Sequence, residues 1–327
     1  MSVFQRIPSW GSISGFREVG FMALHIRTPL VESFPLSERT GRRILLKMEN
    51  LQPAGSFKIR GIGLLCEQGK RNGVSHFVSS SGGNAGYAAA YAGRKLEVQT
   101  TVFVPETTPP DARRKIASQG AEVKVAGSVW DEADGEARAL AEKVNGLYIS
   151  PFDHPLIWEG HATIVDEIAR EIKKPDAIVL SVGGGGLLCG VVEGLQRNGW
   201  QDVPVLAVET EGTASLAASL EQGRLVTLDM ITGVATSLGA KTVAREAFER
   251  AQRHPVQSIV VTDREAIDAC VQFANEHRCL VEPACGASLA LAYSRPKSLT
   301  GAESILIIVC GGIGITLDKI QQWRESL

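Results

Sequence analysis

Lys58 stands in the run Gly55-Ser56-Phe57-Lys58-Ile59-Arg60-Gly61, a lysine among small or permissive residues where a helix is expected to begin. Ser56 is of a type that caps helix N-termini through its side-chain oxygen. Ile59, Ile62, Leu64 and Leu65 supply an apolar face, and Gly69 and Gly73 end the run. A lysine in a first turn meets the positive end of the helix dipole, which disfavours a second positive charge. Flanked by Phe57 and Ile59, Lys58 is a candidate for a lowered pKa and for nucleophilic chemistry. A surface lysine that happens to begin a helix fits this stretch equally well, so the choice falls to the rest of the chain.

Three glycine-rich runs bear on it, each directly after an apolar segment of strand character. Ligands in open α/β sheets bind at the carboxyl ends of strands, so all three fall where a site belongs. The first is Gly183-Gly184-Gly185-Gly186, after the apolar run 177–182 and before a helix expected over 187–197. Four consecutive glycines leave backbone N–H groups bare at a helix N-terminus, which suits a phosphate. The spacing is neither G-x-G-x-x-G nor G-x-x-x-x-G-K-S/T, so a compact phosphate monoester fits better than a dinucleotide or nucleoside triphosphate. A plain tight turn is the competing reading. The second run, Ser81-Gly82-Gly83-Asn84-Ala85-Gly86, opens another helix. Its N–H groups and the Ser81 hydroxyl suit a carboxylate, while Asn84 caps the helix, bonds a ligand hydroxyl, or does both. The third, Cys310-Gly311-Gly312, ends the last apolar strand. A buried cysteine is most often a small hydrophobe, but at a strand end beside two glycine turns its thiol can also contact a ring nitrogen.

The elements that must position these residues alternate regularly. Strands are expected at 43–48, 76–79, 100–104, 123–126, 147–150, 177–182, 205–208, 259–262 and 305–310, with helical runs between most of them. This is the pattern of an α/β protein with mostly parallel, twisted sheets flanked by helices. Residues 57–154 read as a small domain, and 24–56 with 155–327 as a large one, the strand at 43–48 joining the second sheet. Residues 1–23 read as an extension. Residues 1–21 lack both periodicity and the continuous apolar core of a secretory signal, and fit a flexible arm or a start-codon extension ahead of Met22.

Composition narrows the function classes. With 34 Lys plus Arg against 36 Asp plus Glu, no basic stripe or acidic tail points to nucleic acid or a membrane surface. No apolar run approaches a membrane span. Six cysteines without a C-x-x-C pair do not make a disulfide framework, and the scattered histidines lack zinc spacing. A cytoplasmic protein is expected.

A lysine, a phosphate cradle, a carboxylate turn and a ring-nitrogen partner on one α/β chain suggest pyridoxal 5′-phosphate. On Ser56 to Gly61, Ser81 to Gly86, Ser181 to Leu187 and Val309 to Gly312, the chain resembles the fold-type II pyridoxal-phosphate enzymes, the tryptophan synthase β-like fold. Pro151 to Ala162 and Val281 to Ala287 are most similar to the L-serine dehydratase (L-serine/L-threonine ammonia-lyase) branch. The resemblance covers Leu24 to the C-terminus. It implies that Lys58 carries the cofactor and that Phe57 stacks on its ring. Asn84 would bond the ring hydroxyl, and Gly183, Gly184, Gly185, Gly186 and Leu187 would hold the phosphate. Cys310 would face the ring nitrogen. Ser81, Gly82, Gly83, Asn84 and Ala85 would bind the substrate carboxylate, with Ser81 counted beside Lys58 as catalytic. A monovalent cation, potassium, would be held by the Glu209 side chain and the carbonyls of Gly183, Thr213, Leu238 and Ala240.

The activity so implied is β-elimination of L-serine to pyruvate and ammonia, and of L-threonine to 2-oxobutanoate, in a homodimer. A thiol, with an ordinary pKa of about 8.5, cannot keep a pyridine nitrogen protonated as a carboxylate would. That disfavours a long-lived carbanion and favours prompt loss of the β-hydroxyl. The rivals are an enzyme for threonine or a bulkier β-hydroxy amino acid, a serine racemase, a non-catalytic binder of the cofactor or an amino acid, and a nicotinamide oxidoreductase. Two departures from the branch stand out. Ile313-Gly314 replaces the usual polar pair, which bears on how the ring edge is supported. Gly82 stands where serine racemases of this fold place a second serine, which argues against racemisation.

Overall fold

The computed structural model describes residues 23–326. The extension expected over residues 1–23 lies outside them except for its last residue, Ala23.

The strands are β1 (Leu30–Glu32), β2 (Arg43–Lys47), β3 (His76–Ser79), β4 (Gln99–Val104), β5 (Glu122–Val125), β6 (Leu147–Ile149), β7 (Ala177–Ser181), β8 (Val205–Thr210), β9 (Val256–Val261) and β10 (Ser304–Ile308). They form a six-stranded sheet, β1-β2-β10-β7-β8-β9, and a four-stranded sheet, β5-β4-β3-β6. Every neighbouring pair is parallel except β1 with β2. Strand β2 pairs with β10 in register from Arg43 opposite Ser304 to Lys47 opposite Ile308, so the early strand does join the later sheet. Ile305 to Ile308 of β10 are all buried, as a central parallel strand covered on both faces requires.

The helices are α1 (Phe34–Thr40), α2 (Lys58–Arg71), α3 (Asn84–Leu96), α4 (Pro110–Ala117), α5 (Trp130–Lys143), α6 (Pro155–Ala169), α7 (Gly186–Arg197), α8 (Ser215–Gln222), α9 (Arg245–Arg253), α10 (Asp263–His277), α11 (Pro283–Tyr293) and α12 (Leu317–Ser326). Three elements, β1, α1 and α8, are not among those expected from the sequence. No helix among the described residues is long and apolar enough to cross a membrane.

Helix α2 carries Lys58, and two features hold it. It crosses α6 at a glycine contact: a Cβ on Gly61 would strike the Ile157 carbonyl, and one on Gly160 would lie 2.6 Å from Gly61 Cα. It also delivers Arg60 into a buried ion cluster. The Arg60 guanidinium donates to both oxygens of Glu49 at 2.7 and 2.8 Å and to both oxygens of Glu167 at 2.7 and 2.8 Å. Lys47 on β2 donates to Glu167 at 2.6 Å and to the Thr28 carbonyl at 2.7 Å. Two cations meet two carboxylates, so the cluster is neutral and each charge is hydrogen-bonded, the condition for burying charge at all. It locks the first turn of α2 to β2 and α6. Below α2, Ile59, Ile62 and Leu65 pack with Phe77, Ile149 and the alanines of α3 in a core separate from that of the six-stranded sheet.

Candidate active site

Lys58 is the first residue of α2, but Ser56 does not cap the helix. Phe57 holds the cap position with no side-chain bond, and the buried Ser56 hydroxyl has no hydrogen-bond partner. Long-range pairing explains this. Ser56 forms a bridge with Gly311, the Phe57 N–H donates to the Cys310 carbonyl at 3.3 Å, and the Gly312 N–H donates to the Gly55 carbonyl at 3.0 Å. Residues 55–57 are thereby laid against the turn that ends β10, and Lys58 and Cys310 arrive in one place.

Lys58 Nζ donates to the Pro151 carbonyl at 2.7 Å and lies 5.2 Å from the centre of the Phe57 ring. Burial lowers its pKa from 10.5 to about 8, against the partial attraction of Cys310 and Glu282. Desolvation is therefore the main cause of the shift that the sequence anticipated.

The amine opens on a cleft of about 490 Å³, including the solvent at its mouth. Phe57, Lys58, Asn84, Gly183, Gly184, Gly185, Gly186, Leu187 and Cys310 all line it. Ser81, Gly82, Gly83 and Ala85 do not line it, but form or adjoin the turn that leads into α3 beside Asn84. Helix α7 begins at Gly186, and the first N–H groups of a helix have no partner within it. Among the described residues, the N–H groups of Gly183, Gly184 and Gly185 donate to no protein acceptor. The glycines also let the wall close in. A Cβ on Gly184 would enter the Phe152 ring, and one on Gly183 would lie 2.9 Å from Leu238 Cα.

Asn84 is the first residue of α3, and its side chain caps nothing. Its Nδ2 donates to Glu282 Oε1 at 2.5 Å, and its Oδ1 accepts the Ile313 N–H at 2.9 Å. Glu282, just before α11, is a site residue that sequence reasoning missed, as are Phe152, Ser237 and Ala284, which also line the cleft. It lines the cleft, and burial raises its pKa against hydrogen bonds from Ser237, Asn84 and the Gly314 N–H. Ahead of Pro283 it looks like an ordinary helix-end residue. It lies in the stretch Val281 to Ala287 that carries part of the family resemblance, but no local feature gave its carboxylate a role.

Cys310 is buried at the end of β10. A hydrogen bond with the Cys285 thiol and then burial push its pKa well above the ordinary value, so it stays a neutral thiol. The Ile313-Gly314 segment has no polar side chain of its own and is held through its backbone carbonyls. Lys115 Nζ donates to the Ile313 carbonyl at 2.5 Å, and Lys319 Nζ to that of Gly314 at 3.1 Å. Gly82 faces Thr108: a Cβ at position 82 would lie 2.6 Å from Thr108 Oγ1, so a serine there needs Thr108 to move.

The residues expected to hold a cation are placed as follows. Glu209 is fully buried, and its two oxygens accept the N–H groups of Leu216 and Ala217 at 2.9 and 2.8 Å, at the start of α8. Burial pushes its pKa up to about 7. Gly183 packs on Leu238, whose carbonyl accepts the Ala240 N–H at 2.8 Å, and the Thr213 hydroxyl bonds that of Thr210 at 2.9 Å. Among the described residues, no group of three or more His, Cys, Asp or Glu side chains could hold a metal ion.

Residues 22–311 match the family model described as "Pyridoxal-phosphate dependent enzyme". The chain belongs to this family. It is 50% identical to the L-serine dehydratase/L-threonine deaminase of Homo sapiens, over 93% of this chain and 96% of that one. It is 45% identical to the L-serine dehydratase of Dictyostelium discoideum, over 93% of each. The crystal structure of a fungal L-serine ammonia-lyase from Rhizomucor miehei superposes with a TM-score of 0.88 at 38% identity, covering 93% of this chain and 99% of that one. The cleft fits the family cofactor. Its amine has a depressed pKa, its helix N-terminus offers N–H groups without protein partners, and its thiol stays neutral.

Proposed function

We propose that this pyridoxal-phosphate enzyme is an L-serine ammonia-lyase. It removes water from L-serine, and the released enamine hydrolyses to pyruvate and ammonia; L-threonine gives 2-oxobutanoate in the same way. The observation that carries the reading is a Lys58 amine of depressed pKa in one cleft with Gly183 to Gly186 and Cys310. The similarity to the named dehydratases supports the choice of substrate.

When bound, pyridoxal 5′-phosphate supplies a ring that withdraws negative charge from the substrate Cα. Lys58 would hold the cofactor, and its Nζ is the group placed to take the Cα proton. With a pKa of about 8, about a tenth of such amines are neutral at pH 7. The Pro151 carbonyl orients Nζ. The free N–H groups of the glycine loop hold the phosphate at the positive end of α7. Phe57 would lie against the ring, Asn84 would bond its hydroxyl, and the turn from Ser81 to Ala85 would take the substrate carboxylate. Cys310, as a neutral thiol, leaves the ring nitrogen without a charged partner and so favours elimination over transamination. Gly82 offers no hydroxyl to return a proton on the opposite face, which disfavours racemisation.

Potassium is part of the proposal. A carboxyl as buried as Glu209 has no counter-charge among its bonds, and a monovalent cation beside it would favour its ionised form. So are a homodimer, a cytoplasmic location and the division into a small domain, 57–154, and a large one, 24–56 with 155–327. The strands of the four-stranded sheet all fall between residues 76 and 149, which supports that division.

The test is Lys58→Ala beside the parent protein. We expect loss of both the visible absorbance of bound cofactor and the release of pyruvate from L-serine. Either one persisting at the parent level refutes the assignment. A panel of L- and D-β-hydroxy amino acids, with potassium present and absent, then reads substrate and cation together.

A further inference from the structure

The segment that follows β10 is where the parts of the cleft meet. Gly311 and Gly312 pair with residues 55 and 56, just ahead of Lys58. Cys310 precedes them. Ile313 next turns both of its backbone polar groups to the side of the four-stranded sheet. Its N–H donates to Asn84 Oδ1 at 2.9 Å, and its carbonyl accepts Lys115 Nζ at 2.5 Å. Asn84 heads α3, and Lys115 lies on α4, the helices that follow β3 and β4.

These bonds dictate how Asn84 sits. Its Nδ2 donates to Glu282 while its Oδ1 accepts from Ile313. Rotating the amide by half a turn would put its N–H₂ group against the Ile313 N–H and its oxygen against a carboxyl oxygen, losing both bonds. The Asn84 orientation therefore depends on where the Ile313 peptide stands. Lys115 is the other side chain that fixes Ile313 from this side, through a charge-assisted bond to a carbonyl. It is half-buried and does not line the cleft.

We propose that Lys115 is a positioning residue: by holding the Ile313 carbonyl it keeps Asn84 and the cysteine-bearing turn aligned across the two sheets. Nothing in its role touches the reacting atoms. Its consequence falls on the turn from Ser81 to Ala85, which under the proposed function binds the substrate carboxylate. Loosening that turn weakens ground state and transition state alike, which raises KM and leaves kcat in place.

The experiment compares the holoenzyme with Lys115→Met and Lys115→Arg. One readout is amide hydrogen exchange of the peptide spanning residues 311–316. The other is KM and kcat for L-serine. In Lys115→Met we expect exchange and KM each to rise about tenfold, the ratio for losing one charge-assisted hydrogen bond, with kcat within about twofold of the parent. Lys115→Arg, which keeps a cationic donor, restores both. Unchanged exchange in Lys115→Met overturns the proposal. So does a fall in kcat at constant KM, or an Arg variant as impaired as the Met variant. The KM expectation rests on the serine reading, whereas exchange does not. Faster exchange in a protein that turns over no L-serine would therefore refute that reading and leave the positioning role standing.

Discussion

Replacing Lys58 by Met in the apoprotein tests the electrostatics of the cleft apart from any chemistry. Burial holds the folded-state pKa of Lys58 at about 8 against an ordinary 10.5. Each pKa unit corresponds to about 1.36 kcal/mol, so keeping this amine charged in the fold costs about 3 kcal/mol. The sign is set by proton uptake. Between pH 8 and 10.5 the unfolded chain binds more protons at this site than the folded one, so stability rises with pH across that window. The penalty is fully present below pH 8 and gone above 10.5. Methionine carries no charge to bury, but it forfeits the bond to the Pro151 carbonyl, worth about 1 kcal/mol. The expected net effect is that the Met variant is more stable than the parent by about 2 kcal/mol at pH 7. Urea unfolding of both apoproteins at pH 7, 8.5 and 10 measures the difference. The gap should shrink with pH and reverse by about pH 10.5, where only the lost Pro151 bond remains. A parent protein more stable than the variant at pH 7, or a gap independent of pH, would refute the reasoning.

Two further substitutions test the frame around the site. Arg60→Met leaves Glu49 and Glu167 buried with one cation fewer, and should cost about 3–5 kcal/mol of stability, read from the urea midpoint; a loss under about 1 kcal/mol would mean that the cluster does not lock α2. Gly184→Ala drives a methyl group into the Phe152 ring at the glycine loop. Such overpacking costs about 1–3 kcal/mol, so the Kd for pyridoxal 5′-phosphate, followed by fluorescence titration, should rise by about fivefold to 150-fold, and an unchanged Kd would separate the loop from phosphate binding.

The sequence by itself determined the alternation of strands and helices, the parallel sheets and the three glycine turns at strand ends. Those features are written in short-range order: runs of β-branched residues, helical periodicity and glycines that punctuate both. It also offered Lys58 as a candidate, and the three glycine turns at strand ends tipped that reading from a surface lysine to a reactive one. Only the tertiary structure decided what these residues meet. Ser56 looked like a cap until pairing with Gly311 claimed its backbone. Asn84 looked like a cap until Glu282 and Ile313, 198 and 229 residues away in sequence, claimed its amide. Arg60 is buried against Glu49 and Glu167, 11 and 107 residues away in sequence. Glu282 carried almost no local signal. Local periodicity records which face of an element is apolar, but not which distant polar group will be waiting there. In a cleft assembled from both sheets, that second fact orients Asn84 and holds the turn that ends in Ile313.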